Sequence, residues 1–137
     1  MNTNRNKGHG LERQVASDLK VLFPYVQTSR AASRMADNCA IDLVHVPFLI
    51  QCKAGYNNNR PKYEVEFDKV DERIKQHFPK DHVVHSLPFL LIHKPNAPKG
   101  HGRKEKYTQV TMSYAYFNWL LSNLDKSVVE KWPVFNI

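Results

Sequence analysis

The sequence lacks several features that would assign it to other classes of protein. Its first ten residues, MNTNRNKGHG, contain no apolar run of the kind that a signal peptide has. No stretch approaches the roughly 20 apolar residues of a membrane span. Two cysteines among 137 residues are too few for a dense disulfide framework. We therefore expect a soluble protein of a reducing, cytoplasmic compartment, with no membrane partner.

Acidic residues are also scarce relative to basic ones. The chain has 13 Asp and Glu against 20 Lys and Arg, for a formal net charge of +7. This balance favours a polyanionic partner. Nucleic acid is a better candidate than a membrane surface, because no basic helix with a strong apolar face accompanies the charge.

The length and the order of elements predict a single domain over residues 1–137, with a flexible basic segment at 1–9 and a basic loop at 95–106. Apolar residues at helical or alternating spacing, with their flanking turn residues, divide the rest of the chain. The sequence predicts helices over 10–23, 68–78 and 113–124, and strands over 25–30, 63–67, 87–93 and 107–112, with two more strands on either side of Val46 and Pro47. Residues 31–38 are predicted to be a polar connection. The fold class is therefore α/β or α+β, with a central mixed β-sheet flanked by helices.

The stretch AIDLVHVPFLIQCKAG, residues 40–55, places charged Asp42 and Lys53 among apolar residues. A tight turn at Val46 and Pro47 would make its two halves antiparallel neighbours, with facing residue numbers that sum to about 93. Asp42 would then face Gln51, and Lys53 would share their side of the sheet. A simpler interpretation is an ion pair across a half-exposed sheet, worth under about 1 kcal/mol.

Asp42, the spacer and Gln51-Cys52-Lys53, together with Glu12 on the preceding helix, resemble the PD-(D/E)xK nuclease superfamily. The segments NKGHGLERQVASDLK, TSRAASRMADNCAIDLV and FLIQCKAG are most similar to small archaeal and phage Holliday junction resolvases. The likeness extends over about residues 5 to 55. It implies a restriction-endonuclease-like core and a magnesium-dependent endonuclease, with Mn²⁺ as a substitute, acting as a homodimer on four-way DNA junctions in a bacterial, archaeal or phage-infected cell.

The resemblance also implies roles for individual residues. Asp42 would bridge the metal ions, while the Gln51 side chain and the Cys52 backbone carbonyl would complete the ligand set. Glu12 would hold a second ion or a metal-bound water, and Lys53 would orient the attacking water. Gln51 departs from the family, which has an acid at this position, although an amide oxygen can also bind Mg²⁺. Glu12 has a structural alternative, because acids favour the first turn of a helix.

Basic and hydroxyl side chains elsewhere are candidates for DNA contact. Arg30, Ser33 and Arg34 precede the Asp42 strand, where they could bind phosphates beside the scissile bond. A positive track along the DNA arms would be formed by Arg5, Lys7, Lys99, Arg103, Lys104 and Lys106. Two alternatives stay open, a sequence-specific endonuclease of restriction or homing type and a catalytically inactive DNA-binding protein with a nuclease fold. His82 and His85 form an H-x-x-H, but no second ligand pair with zinc spacing accompanies them.

Overall fold

The computed structural model describes residues 3–56, 59–96 and 108–136, and for residues 3–7 it describes the backbone alone. The first element is helix α1, Thr3–Leu19. It begins earlier than the predicted residue 10, so most of the predicted flexible segment is helical. After Leu19 the chain makes a turn in which the Leu19 carbonyl accepts hydrogen bonds from Leu22 N–H at 3.1 Å and Phe23 N–H at 2.8 Å, and Pro24 then prevents the helix from continuing. Leu11, Val15 and Ala16 form its buried face.

Five strands form the mixed sheet, which has a two-stranded and a three-stranded part. Strands β1 (Gln27–Thr28) and β2 (Leu43–Val44) are antiparallel. Strand β3 (Leu49–Ala54) runs parallel to β4 (Phe89–Lys94), which is antiparallel to β5 (Gln109–Thr111). One backbone hydrogen bond, from Asp42 N–H to the Ile50 carbonyl at 2.8 Å, connects the two parts. The predicted central sheet is confirmed at this level.

The two halves of residues 40–55 do not form the regular antiparallel hairpin that the sequence predicts. Strand β2 pairs with β1 instead of β3, and Asp42, just before β2, joins β3 through the bond from its N–H to the Ile50 carbonyl. The connection between β2 and β3 has four residues, 45–48, and His45 adopts a left-handed φ of 65° within it. A tight two-residue turn at Val46 and Pro47 would favour left-handed residues, and the fixed φ of proline is incompatible with that conformation.

Two short helices replace the polar connection that the sequence predicts between β1 and β2. They are α2 (Ser29–Ala32) and α3 (Arg34–Asn38). The Ser33 hydroxyl accepts a hydrogen bond from Ala36 N–H at 3.2 Å and so caps α3. Small residues with a capping serine are compatible with short helices, which is why the connection is not irregular.

Helix α4, Tyr63–His77, contradicts the predicted edge strand at 63–67 and the predicted cap at Asp68. Tyr63, Phe67, Val70 and Ile74 follow each other at intervals of four, three and four, so they lie on one helical face. The alternation of residues 63–67 is too short to distinguish a strand from a helix, whereas the apolar spacing over residues 63–74 indicates a helix. The helix also supplies the crossover that parallel β3 and β4 require.

The core lies on both sides of β3, because side chains alternate along a strand. Ile50, Cys52 and Ala54 pack with α1 residues in one cluster. Leu49 packs with Val70 and Ile74 of α4 in the other. A 3₁₀ helix, Val83–Ser86, leads into β4, whose prediction at 87–93 is confirmed to within two residues.

The last two helices are α5 (Tyr114–Ser122) and α6 (Lys126–Val129). Ser113 caps α5 as predicted, and its hydroxyl accepts a hydrogen bond from Tyr116 N–H at 3.1 Å. No residue of either helix is fully buried, but Tyr116 of α5 packs against the cluster on the α1 side and contacts the Phe48 ring edge-on, while Tyr114, Phe117 and Trp119 are exposed. No described helix has both the length and the apolar character needed to cross a membrane.

Candidate active site

Asp42 lies where the two parts of the sheet meet. Its carboxylate Oδ2 accepts a hydrogen bond from Cys52 N–H at 2.7 Å, so both its backbone and its side chain bind to β3. Burial raises the pKa of this carboxyl to about 7, and the Cys52 hydrogen bond only partly opposes that effect. The negative charge of Glu12 raises the pKa further, whereas the charge of Lys53 lowers it. Asp42 therefore lies within electrostatic reach of both predicted partners.

Glu12 is a buried carboxylate in the middle of α1, with 6% of its surface exposed. The helix begins at Thr3, so Glu12 is not in the first turn and the helix dipole does not explain its presence. Both carboxylate oxygens accept hydrogen bonds from Arg30 Nη2 of α2, each at 3.4 Å. Arg30, which the sequence assigns to phosphate binding, is thus paired with the predicted metal ligand.

Gln51 is buried on the side of β3 that faces α4. Its side-chain Nε2 lies 3.5 Å from the Ala40 carbonyl, while its Oε1 has no hydrogen-bond partner among the described residues. Buried polar atoms are nearly always paired, and an unpaired carbonyl oxygen is costly. Coordination of a hard cation would give this oxygen a partner.

Lys53 lies on the same side of β3 and forms an ion pair with Glu66 of α4. The distance from Nζ to Oε2 is 3.8 Å, and Glu66 is buried, with 8% of its surface exposed. Glu66 is a functional candidate outside the predicted site, because the alternation of residues 63–67 predicts an exposed strand there. The signal was its helical spacing with Val70 and Ile74, which places an acid on an apolar face.

The four predicted catalytic residues therefore surround the edge of β3 rather than sharing one sheet face. The helix α1 supplies Glu12 from one side, β3 presents Gln51 and Lys53 to the other, and Asp42 lies at the edge between them. Alternation along β3 puts Gln51 and Lys53 on the side opposite Ile50 and Cys52, which pack with α1.

The donor set fits a hard divalent cation better than zinc. Two carboxylates, Asp42 and Glu12, and the unpaired Gln51 oxygen are the kinds of ligand that Mg²⁺ and Mn²⁺ prefer. Within the described ranges, no three His, Cys, Asp or Glu side chains come close enough together to hold a metal ion. The Cys52 thiol is buried, and burial raises its pKa, so it stays protonated and leaves only its backbone carbonyl as a ligand.

The other predicted contact residues have varied positions. Ser33 is engaged as the α3 cap, and Arg34 is exposed at the first position of that helix. Arg5 and Lys7 belong to α1, where only the backbone is described. Four predicted DNA-binding residues lie outside the described residues: Lys99, Arg103, Lys104 and Lys106.

His82 and His85 have structural partners. The His82 Nδ1 accepts a hydrogen bond from Val84 N–H at 3.0 Å, and the His85 Nε2 donates to the Pro79 carbonyl at 2.8 Å. Both cysteines are buried and free.

Comparison with known proteins adds no relative: no protein-family model, no curated protein and no solved structure matches this chain.

Proposed function

We propose that this protein is a magnesium-dependent DNA endonuclease of the PD-(D/E)xK type. The observation that carries the proposal is the Asp42 carboxylate, held at the edge of β3 within electrostatic reach of Glu12 and Lys53. The unpaired Gln51 oxygen supports it, since the resemblance assigns this oxygen to the metal. The order α1, β1, α2, α3, β2, β3, α4, β4 is consistent with a nuclease-like core in which a helix crosses between parallel strands.

The chain's own groups account for what such a reaction needs. Asp42, Glu12, the Gln51 oxygen and the Cys52 carbonyl would hold the metal, which supplies Lewis-acid activation of the phosphodiester. Lys53 would orient the attacking water and offset negative charge that develops on the phosphoryl oxygens. Glu66 would act as a positioning residue, because its ion pair fixes the direction of the Lys53 side chain.

Arg30 has two candidate positions in this mechanism. Without a metal it neutralises the buried Glu12 carboxylate. When a cation binds Glu12, Arg30 would be released toward a phosphate of the DNA, since its side chain is 41% exposed and reaches solvent. Arg34 and the basic residues of the predicted positive track would contact the arms of the DNA.

A four-way junction is the proposed substrate and a homodimer the proposed assembly. Paired cuts in a symmetric junction need two active sites related by a two-fold axis. The exposed apolar side chains of the C-terminal part supply a surface for such contact, and the largest are Tyr114, Phe117, Trp119, Trp132 and Phe135. The absence of an acid at position 51 favours the alternative of an inactive DNA-binding protein.

One experiment separates these possibilities. The protein is incubated with a four-way junction, linear duplex and single strand, each with Mg²⁺ or EDTA, beside Asp42→Asn and Lys53→Ala. We expect metal-dependent paired nicks on the junction alone, and junction binding without cleavage by Asp42→Asn. Cleavage of linear duplex at one defined sequence would instead indicate a restriction-type enzyme. Junction binding with no cleavage in Mg²⁺ or Mn²⁺ would identify the inactive protein and reject the proposal.

A further inference from the structure

A cavity of about 250 Å³ adjoins Lys53 on the α4 side of β3. Its walls come from the end of β3, from the loop that follows and from the first turns of α4. Lys53 is the only proposed catalytic residue that lines it, so the cavity is next to the candidate active site and not part of the metal-ligand set.

The lining of this cavity is strongly positive. Four cationic side chains contribute to it, Lys53, Arg60, Lys62 and Lys69, against one carboxylate, Glu66. Glu66 forms ion pairs with Lys53 at 3.8 Å and with Lys69 at 3.9 Å. Arg60 and Lys62 form no ion pair with any described residue. Like charges around a cavity repel one another, and a bound anion would relieve that repulsion.

Tyr56 stands at the wall of the same cavity with 51% of its surface exposed. It has a φ of 63° and follows Gly55 at 89°, so two left-handed residues redirect the chain directly after β3. Such a backbone is strained for a tyrosine, and strain of this kind concentrates at functional sites. The turn keeps the ring out of both hydrophobic clusters, and the ring stacks on no other described aromatic side chain.

We propose that this cavity binds the phosphate of an unpaired nucleotide whose base stacks on Tyr56. Ligand sites for drug-sized molecules have volumes of roughly 300–1,000 Å³, so the cavity fits a phosphate with its sugar better than a whole nucleotide. The base would then lie outside, where the exposed ring offers a stacking surface. Bases inside a continuous duplex are already stacked on their neighbours and cannot use it.

The inference rests on the proposed action on DNA and specifies which part of the substrate the protein reads. It predicts a preference for DNA with unpaired nucleotides beside a duplex over DNA that is fully paired. Branch points that open a base pair, and duplexes with single-stranded tails, share this feature.

The test is DNA binding measured by fluorescence anisotropy in EDTA, where no cleavage is expected. The probes are a blunt duplex and the same duplex with a short tail of unpaired thymidines. We expect the tailed duplex to bind about tenfold more tightly, because stacking of a base on an aromatic ring has an effect of this order. Tyr56→Ala should remove the preference, and Tyr56→Trp should keep it.

Charge removal tests the phosphate contact. The double variant Arg60→Gln/Lys62→Gln should weaken binding of the tailed duplex and reduce the slope of log Kd against log salt by about 0.7, the value for one phosphate of a single strand. The matched control is Lys80→Gln/Lys131→Gln, which removes the same charge from two exposed lysines that do not line the cavity. It should leave the preference for the tail unchanged.

A second measurement needs no variant. An abasic site or a neutral methylphosphonate at the unpaired nucleotide next to the duplex should abolish the preference of the unaltered protein. Equal affinity for blunt and tailed duplex, no binding of either, or a preference that survives Tyr56→Ala would overturn the inference. Because these assays do not depend on cleavage, an inactive protein can still pass them, and failure here leaves the cleavage test of Asp42 and Lys53 in force.

Discussion

The partly buried Asp42 carboxyl should make the stability of the metal-free protein depend on pH. Its pKa is raised from the ordinary 3.8 to about 7 in the folded state. As the pH rises, the unfolded chain therefore loses this proton near pH 4, whereas the folded protein keeps it until about pH 7. Stability from this group is complete below pH 4, declines between pH 4 and pH 7, and stays at its lower level above pH 7.

The size of the effect follows from the same two values. Each unit of pKa is worth about 1.36 kcal/mol, so ionisation of Asp42 lowers the free energy of unfolding by about 4 kcal/mol between pH 4 and pH 8. Asp42→Asn removes the titration but keeps an oxygen that can accept the Cys52 N–H bond. The variant should match the unaltered protein at pH 4 and exceed its stability by about 4 kcal/mol at pH 8 in EDTA.

The assay is urea unfolding at several pH values in EDTA, followed by circular dichroism. Exposed Asp81 offers a matched control, and Asp81→Asn should follow the unaltered protein at every pH. Addition of Mg²⁺ or Ca²⁺ at pH 8 should stabilise the unaltered protein more than Asp42→Asn, because the cation binds the ionised carboxylate. Stability curves that stay parallel for the unaltered protein and Asp42→Asn from pH 4 to pH 8 would refute the reasoning.

Three further changes test other parts of the structure. Gln51→Glu places an acid near Asp42 and should bind Mn²⁺ about tenfold more tightly in calorimetric titration, a gain of ~1.4 kcal/mol in binding free energy. An unchanged affinity would show that residue 51 is not a metal ligand. Glu66→Gln should lower the cleavage rate constant at saturating DNA, measured in single-turnover assays, while DNA binding without metal persists. An unchanged rate constant would show that Glu66 does not position Lys53 for cleavage. Ile74→Ala, at a residue with 2% of its surface exposed, should cost about 2–5 kcal/mol in urea unfolding, and a smaller loss would contradict the packing of α4.

The elements with a long period or a clear cap were predictable from the sequence. Leu11 and Val15 indicate α1, Ser113 indicates the start of α5, and the apolar run before His93 indicates β4. These signals are local, so neighbouring elements do not alter them. The N-terminal extension of α1 could not be predicted in this way, because residues 3–9 contain no apolar residue and so carry no periodic apolar pattern.

Features that depend on contacts between elements were less predictable. The position of Asp42 depends on its two hydrogen bonds to β3, which no local pattern in residues 40–55 indicates. The ion pair between Lys53 and Glu66 depends on the packing of α4 against β3. The predicted strand over 63–67 would not place Glu66 on that helix. Composition indicates a basic protein, and the family resemblance implies that Glu12, Asp42 and Lys53 lie near one another, but neither indicates which side of the strand each residue occupies.

The two bonds from Asp42 to β3 have a consequence for the whole sheet. Its backbone N–H and its carboxylate both attach the β1–β2 ribbon to the larger sheet, at 2.8 Å and 2.7 Å. Asp42, the residue at the centre of the proposed chemistry, therefore also joins the two parts of the sheet. Truncation to alanine would remove the side-chain bond together with the proposed metal ligand and leave the backbone bond to join the two parts, whereas asparagine would keep an oxygen for Cys52 N–H.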